Sequence, residues 1–179
     1  MFTNPQKNVE SFGLVSGMQV ADLGAGSGFY SLAAAKLVGE NGKIYAVDVQ
    51  KELLSKLKKE AEEKDINNIE IVWGNVEEAN GTRLADSSMD AVIASNILFQ
   101  MADKSVFIKE IWRILKPQKG KAYIIDWADS FGGLGPQPES VVNAKTAKEI
   151  FSKQGFELER ELSNVGMHHY GLIFKKNKE

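Results

Sequence analysis

The residues with most to say about chemistry are Asp22-Leu23-Gly24-Ala25-Gly26-Ser27-Gly28. Three glycines, each two residues from the next, stand between an apolar run and an alanine- and leucine-rich run. Glycine at a strand-to-helix turn lets the backbone bend sharply and lets a ligand come against main-chain atoms. In that arrangement Gly24 serves the tight turn, Gly26 the close backbone approach and Gly28 the close entry of the helix. Amides at the helix N-terminus favour acceptors or negative groups. A dinucleotide, a phosphate and an adenosine compound all satisfy the glycines taken alone, and so does a turn that binds nothing.

Two carboxylates narrow the choice. Asp48 ends the next apolar run, 20 residues after Gly28. A carboxylate there accepts two hydrogen bonds from a ribose diol. It can also cap the helix that follows. Asp22 lies inside an apolar run, where a carboxylate needs partners. Those partners are either nearby loop amides or a cationic group of a ligand, such as an amine.

Further candidates sit downstream. Asn96 and Gln100 flank Ile97-Leu98-Phe99, which fits either a substrate pocket or the start of a packed helix. Trp127 suits stacking on a flat substrate or packing in the core. His168 and His169 are the two histidines of the chain, and the side chains that naturally titrate near neutrality. If both lie on one strand their rings point to opposite faces, and Tyr170 shares the face of His168. His168 is the candidate base, and both rings as surface or cap residues is the competing reading.

These residues need elements to position them. Short apolar runs at 18–24, 43–49, 69–74, 90–96 and 121–127 read as strands, and the run at 90–96 is apolar throughout, as a strand covered on both faces should be. Helices are predicted at 30–38, at 51–64 with Leu53, Leu54, Leu57 and Ala61 on one stripe, and at 105–115 with Phe107, Ile108, Ile111, Trp112 and Leu115 inward. Pro117 ends the last of these. The stretch 75–89 is too polar to be assigned a helix. Alternating strands and helices predict a mostly parallel sheet covered on both faces. The glycine- and proline-rich stretch 130–140 reads as a long surface loop and a plausible lid. A helix at about 144–154 ends at Gly155. Strands at 156–163 and 168–176 are joined by four residues, so they are antiparallel, and the last strand is an inverted edge or an insertion. Residues 2–12 are suited to a short helix over the cofactor. Ligands of such a sheet lie beyond the carboxyl ends of its strands, which collects the loops at 24–28, 48–50, 74–77, 95–101 and 127–140.

Composition bounds the function. A chain of 179 residues with 43% hydrophobic residues reads as one domain, residues 1–179. There are 22 Lys+Arg against 24 Asp+Glu, so there is no basic excess asking for nucleic acid. The basic stretch 175–178 reads as a solvated terminus. No cysteine is present, which removes disulfides, thiolate zinc sites and a cysteine nucleophile, and no metal site is expected. No signal peptide or membrane-length apolar run is visible. The expectation is a cytoplasmic protein, not inserted in a membrane, acting on a small molecule as a monomer or homodimer.

At this point the residues resemble the class I S-adenosylmethionine (SAM) dependent methyltransferases, in particular the small ubiquinone/menaquinone-biosynthesis-like domains. The first motif of that family, D-x-G-x-G-x-G, is matched by Asp22 to Gly28. The dinucleotide pattern G-x-G-x-x-G is matched less well, because position 29 is Phe. The stretches GNVEE (74–78), LADSSMDAVIASNILFQ (84–100) and EIWRILKPQKGKAYIIDW (110–127) are similar to later family segments. The resemblance runs from about residue 4 to 176. It implies a Rossmann-like, doubly wound α/β fold with a mostly parallel seven-stranded sheet and an antiparallel last strand. It implies SAM as cofactor, with Asp22 and Gly24 on its methionine part and Ala25, Gly26 and Gly28 in the turn beneath it. Asp48 would hold the ribose, Val49 one face of the adenine and the Val76 amide its edge. Ser95 would complete the cofactor contacts. Asn75 replaces the usual Asp, and its carbonyl can still accept from the adenine amino group. Amino-methylating nucleic-acid enzymes of the class carry Pro-Pro-aromatic where this chain has Ser95-Asn96-Ile97-Leu98. The implied activity is methyl transfer to a small, partly apolar acceptor, with His168, Asn96 and Trp127 on the acceptor side. A nicotinamide-dependent oxidoreductase and a non-catalytic SAM-binding module are the alternatives.

Overall fold

The computed structural model describes residues 3–177. Five parallel strands form its frame: β1 (Gln19–Leu23), β2 (Lys43–Asp48), β3 (Ile69–Trp73), β4 (Ala91–Ser95) and β5 (Lys121–Trp127). With β6 (Phe156–Leu162) and β7 (His169–Lys176) they make a seven-stranded sheet in the order β3-β2-β1-β4-β5-β7-β6. β7 runs antiparallel to both of its neighbours, so it is an insertion and not an edge. The chain leaves β1 toward β2 on one side, and β4 returns on the other. That switch opens a crevice above the carboxyl ends of β1 and β4, where an open sheet binds ligands.

Helices cover both faces. α1 (Pro5–Glu10) and α2 (Phe29–Val38) lie on one, with α3 (Lys51–Glu63) beside β2 and β3, while α4 (Lys104–Ile114) and α5 (Ala144–Lys153) cover the other. α2 is short and alanine-rich, and Ala33, Ala34, Ala35 and Val38 are all buried against the strands. α3 buries Leu54, Leu57 and Ala61, with Leu53 only half-buried and its charges outward. In α4, Phe107, Ile108 and Ile111 are fully buried, and Trp112 lies half-buried at the edge of that stripe. Asp103 caps α4 by accepting from the Ser105 amide at 2.8 Å, and Asn143 caps α5 through Thr146 at 3.0 Å. At the other end of α5, Gly155 follows the C-cap residue Gln154 with φ of +90°, and a Cβ there would stand 3.1 Å from the Trp112 ring. The core is aromatic at its centre. Phe12 stacks on Tyr123 at 4.5 Å on the α2 face, and Phe151 on Phe174 at 4.5 Å on the α5 face. Burying each such ring contributes about 1.5–3 kcal/mol.

The polar stretch 75–89 contains no helix or strand, and one buried carboxylate organises it. Glu110 of α4 accepts from the amides of Asn80 and Thr82, both at 3.1 Å, and from the Thr82 hydroxyl at 2.6 Å. Arg113, one turn on, donates to it through Nε and Nη2 and pairs with Asp86. Burial alone would raise the Glu110 pKa, but the bonds from Arg113 and Thr82 outweigh it and hold it below the usual value. Nothing in the helical pattern marks Glu110 as a buried residue.

Residues 130–140 form a surface loop, with Phe131 and Leu134 exposed and one turn of 3-10 helix at Pro138–Ser140. α1 does form and packs on α2, and none of its residues lines the crevice above β1 and β4. Asn8 donates to the Tyr30 hydroxyl and to the Val165 carbonyl, both at 2.9 Å. Of the expected helical stretch 2–12, Phe2 lies outside the described residues, as does Lys178 of the basic stretch 175–178. No helix among the described residues is long and apolar enough to cross a membrane.

Candidate active site

The turn after β1 is built by backbone bonds to β2: the amides of Gly24 and Ala25 both donate to the Val47 carbonyl, at 2.8 and 3.0 Å. All three glycines have positive φ, between +54° and +77°. They differ in what a side chain would meet. A Cβ at Gly24 would fall 2.3 Å from Ile97 Cδ1, and one at Gly28 would fall 2.1 Å from Leu57 Cδ1. At Gly28 the clash takes in Cδ1, Cδ2 and Cγ of Leu57, so packing itself requires glycine there, whereas at Gly24 it falls on the flexible end of Ile97. At Gly26 the nearest atom is 4.0 Å away, so the space left by its missing side chain is open to a ligand.

That space belongs to a cavity of about 370 Å³, within the range of small-molecule sites. Gly24, Gly26, Asp48, Val49, Asn75, Val76 and Asn96 all line it, together with Ile97 and Met101 from the loop after β4. Ala25, Gly28, Asp22 and Ser95 do not. Asp48 takes the Gly26 amide on Oδ2 and the Gln50 amide on Oδ1, both at 2.8 Å. It therefore ties the glycine turn to the start of α3, and an ionised carboxylate keeps acceptor capacity for a diol beyond those two bonds. Val49, 54% exposed, stands at the mouth as an apolar surface for a flat ring. The Asn75 side chain is engaged in its own turn, accepting from the Glu77 amide at 3.1 Å and donating to Glu78 at 2.9 Å. The neighbouring Val76 amide has no acceptor among the described residues.

Asp22 lies beneath the turn, 2% exposed, and accepts from the Ser31 hydroxyl at 2.6 Å. Burial raises its pKa to about 6, the Asp48 charge adds to the rise, and the Ser31 bonds oppose it. A buried acid raised in this way gains from a nearby cation, since a positive charge favours its ionised form. Ser95 turns to the α2 face. Its hydroxyl is buried with no partner of good geometry, although the Tyr30 phenol is near enough to interact.

The acceptor-side candidates are brought together with one change. Asn96, at φ +54°, is held by its amide to the Ile125 carbonyl at 2.8 Å. Its side chain lies 3.0 Å from Nε2 of His169, and the His169 and Trp127 rings are 4.3 Å apart. His168 is not in this group. β7 begins at His169, and His168 has φ of +58°, so strand alternation does not reach it. Its Nδ1 pairs with Asp129 at 2.7 Å and its ring stacks on Phe131, which assigns it to the 130–140 loop. Tyr170 does not support it, because the Tyr170 hydroxyl donates to the Val142 carbonyl on the other face. Trp127 is 9% exposed and is covered by Gly135, where a Cβ would stand 2.7 Å from its ring. Of the run 97–99, Leu98 is buried in the core and Ile97 lines the cavity.

Sequence reasoning missed Asp126. It is fully buried in β5 and accepts from the amides of Ile97 at 3.0 Å, Leu98 at 2.8 Å and Trp127 at 2.8 Å. Burial raises its pKa to about 6 against those bonds. The signal was present: a carboxylate within an apolar strand, the same signal that singles out Asp22.

The model of the family described as "Methyltransferase domain" matches residues 14–166. The chain belongs to the class I SAM-dependent methyltransferase domains. The methyltransferase domain is 34% identical over 117 residues to an arsenite methyltransferase of Aquipseudomonas alcaligenes, covering 63% of this chain and 34% of that one. It is 30% identical over 180 residues to a demethylmenaquinone methyltransferase of Lactococcus lactis subsp. lactis, covering 84% and 70%. The crystal structure of a SAM-dependent methyltransferase from Aquifex aeolicus superposes with a TM-score of 0.85 at 29% identity, covering 97% of this chain and 89% of that one. The chain spans 34% of the length of one curated relative, 26% of a second and 45% of a third. The strand order of the methyltransferase domain departs from the dinucleotide-binding order 3-2-1-4-5-6 by β7, inserted antiparallel between β5 and β6.

Proposed function

We propose that this domain transfers a methyl group from SAM to a small, partly apolar acceptor seated beside Asn96, Trp127 and His169. The observation that carries the reading is Gly26. It is the member of the glycine triad beside which the protein leaves open space, and it faces a cavity rimmed by Asp48 and Val49. When bound, SAM supplies a methyl group already activated on a sulfonium, so the protein's task is alignment more than covalent help. Asp48 would hold the ribose hydroxyls and the Val76 amide would donate to the adenine edge. Val49 would cover the ring. Asp22, buried and near Asp48, would favour the cationic methionine end, while Asp126 would keep the loop 96–98 in place through its three amide bonds.

The acceptor side is aromatic, with the Trp127 ring beside His169. Trivalent arsenic, the acceptor named for one relative, is a soft centre that favours thiolates. This chain has no cysteine to hold it, so an arsenic acceptor would find no thiolate here. An organic acceptor fits the wall better. Titration calorimetry tests the reading. SAM and S-adenosylhomocysteine should bind the wild type in the micromolar range, and Asp48→Ala combined with Gly26→Val should abolish it. A wild type that binds neither refutes the proposal.

A further inference from the structure

The bonds around His169 decide the state of its ring. The turn between β6 and β7 places the Met167 carbonyl 2.7 Å from Nδ1. A carbonyl oxygen can only accept, so Nδ1 carries a hydrogen. In the neutral ring Nε2 is then a bare lone pair. The Asn96 side chain lies 3.0 Å from Nε2 with Oδ1 as the near atom. Two acceptors do not bond, so this pairing suits the charged ring, whose Nε2–H donates. For the neutral ring a half-turn of the amide presents Nδ2 instead, and oxygen and nitrogen exchange places with little change of shape. Asn96 can therefore serve both charge states of His169 from one backbone position, and it also lines the cofactor cavity.

The surroundings favour the neutral ring. His169 is half-buried against Trp127. Burial lowers its pKa and the nearby His168 acts in the same direction, while the Met167 carbonyl and Asp129 oppose them. Asp129 is itself engaged with His168. The result is an imidazole fixed in one tautomer, with its basic nitrogen on the side of Asn96.

We propose that His169 is the proton acceptor in methyl transfer, with Asn96 as its positioning residue, and that the methyl acceptor is a protic nucleophile such as a phenol, a thiol or an enolisable carbon acid. The inference rests on the methyltransferase reading above. The acceptor's X–H displaces the Asn96 side chain from Nε2 and gives its proton to that nitrogen, and the electron pair left on X forms the new bond to the methyl carbon; the new Nε2–H can then donate to Asn96 Oδ1. The pair of the broken carbon–sulfur bond stays on sulfur, and the imidazolium gives its proton to water. Tertiary amines and thioethers have no such proton and would gain nothing from His169.

The test has two arms, with calorimetric SAM binding by the wild type as the control for the underlying reading. In the first, ¹⁵N-histidine NMR of the full chain with S-adenosylhomocysteine should show, at pH 7, a protonated Nδ1 and an unprotonated Nε2. The signals are assigned by their loss in His169→Gln. Asn96→Asp, which places a charge beside Nε2, should raise the pKa of that ring. An Nε2–H tautomer or a charged ring at pH 7 overturns the proposal. In the second arm, labelled SAM is offered with a phenol, a thiol, a 1,3-dicarbonyl, a tertiary amine and a thioether. Transfer should be confined to the protic members and fall roughly 100-fold in His169→Gln, with SAM affinity unchanged within about twofold. Transfer only to the aprotic members, none to any protic member although SAM binds, or a His169→Gln rate within about threefold of wild type, overturns it. Failure of the wild type to bind SAM overturns the methyltransferase reading instead.

Discussion

Asp22 gives the sharpest quantitative prediction, because it sets stability against binding. Its carboxyl is raised from an ordinary 3.8 to about 6 by burial. A raised acid holds its proton more tightly in the folded state, so its contribution to stability is complete below the unfolded value and is lost as pH rises through the folded one. The window is therefore pH 3.8 to about 6. Across it the loss amounts to ~3 kcal/mol at 1.36 kcal/mol per unit, and about half of that separates pH 5 from pH 7.5. Asp22→Asn removes the titration while keeping an oxygen for the Ser31 hydroxyl. Urea unfolding of wild type and variant at pH 5 and pH 7.5 isolates the effect. The buried Asp126 titrates in the same direction in both proteins and cancels in the double difference. The variant should lose ~1.4 kcal/mol less than the wild type between the two conditions. Equal losses would show that Asp22 does not titrate as a buried acid, and the argument for a cation-seeking carboxylate under the glycine turn would fall with it.

The same sign governs ligand uptake: SAM affinity should weaken below pH 6 as protons compete for Asp22, and calorimetry should find that dependence absent in Asp22→Asn. The glycines should separate by role. Gly28→Ala should lower the melting temperature more than Gly26→Ala, since only the former drives a Cβ into Leu57, while Gly26→Ala should cost more in SAM affinity. Glu110→Ala leaves Arg113 and the Thr82 amide without their acceptor and should cost about 3 kcal/mol in denaturant unfolding, in the range of a broken buried pair. Trp73 donates its Nε1 hydrogen to the Val49 carbonyl at 3.1 Å, so SAM binding should change the intrinsic fluorescence, and Trp73→Phe should remove most of that change.

Much of the frame was legible because periodicity and turn chemistry are local. The strand at 121–127 agrees with β5 residue for residue, and the helix at 51–64 with α3 to within one residue. The four-residue link between the last strands forced them antiparallel, but only the sheet order shows that β7 lies between β5 and β6. The strand alternation expected from His168 onward does not reach that residue, for a local reason with a distant consequence. A left-handed residue at His168 ends the alternation one position earlier than the hydrophobic pattern indicates, and His169 takes the place beside Asn96. Asp126 carried a local signal, a carboxylate within an apolar strand, but its partners Ile97 and Leu98, like the Asn80 and Thr82 amides on Glu110, lie far along the chain.

By itself the sequence determined the class of fold and pointed to the residues that would form the cofactor end of the site. Glycines at fixed spacing, a carboxylate at the end of the next strand and alternating apolar runs are all features of neighbouring residues. The tertiary structure alone decided which glycine has open space beside it, which acids are buried and which histidine meets Asn96. Each of those depends on what comes near from another part of the chain: Leu57 against Gly28, Ile97 against Gly24, the 97–98 amides on Asp126. Burial and hydrogen bonding are properties of that assembled surface, and they decide which carboxyls and imidazoles can do chemistry.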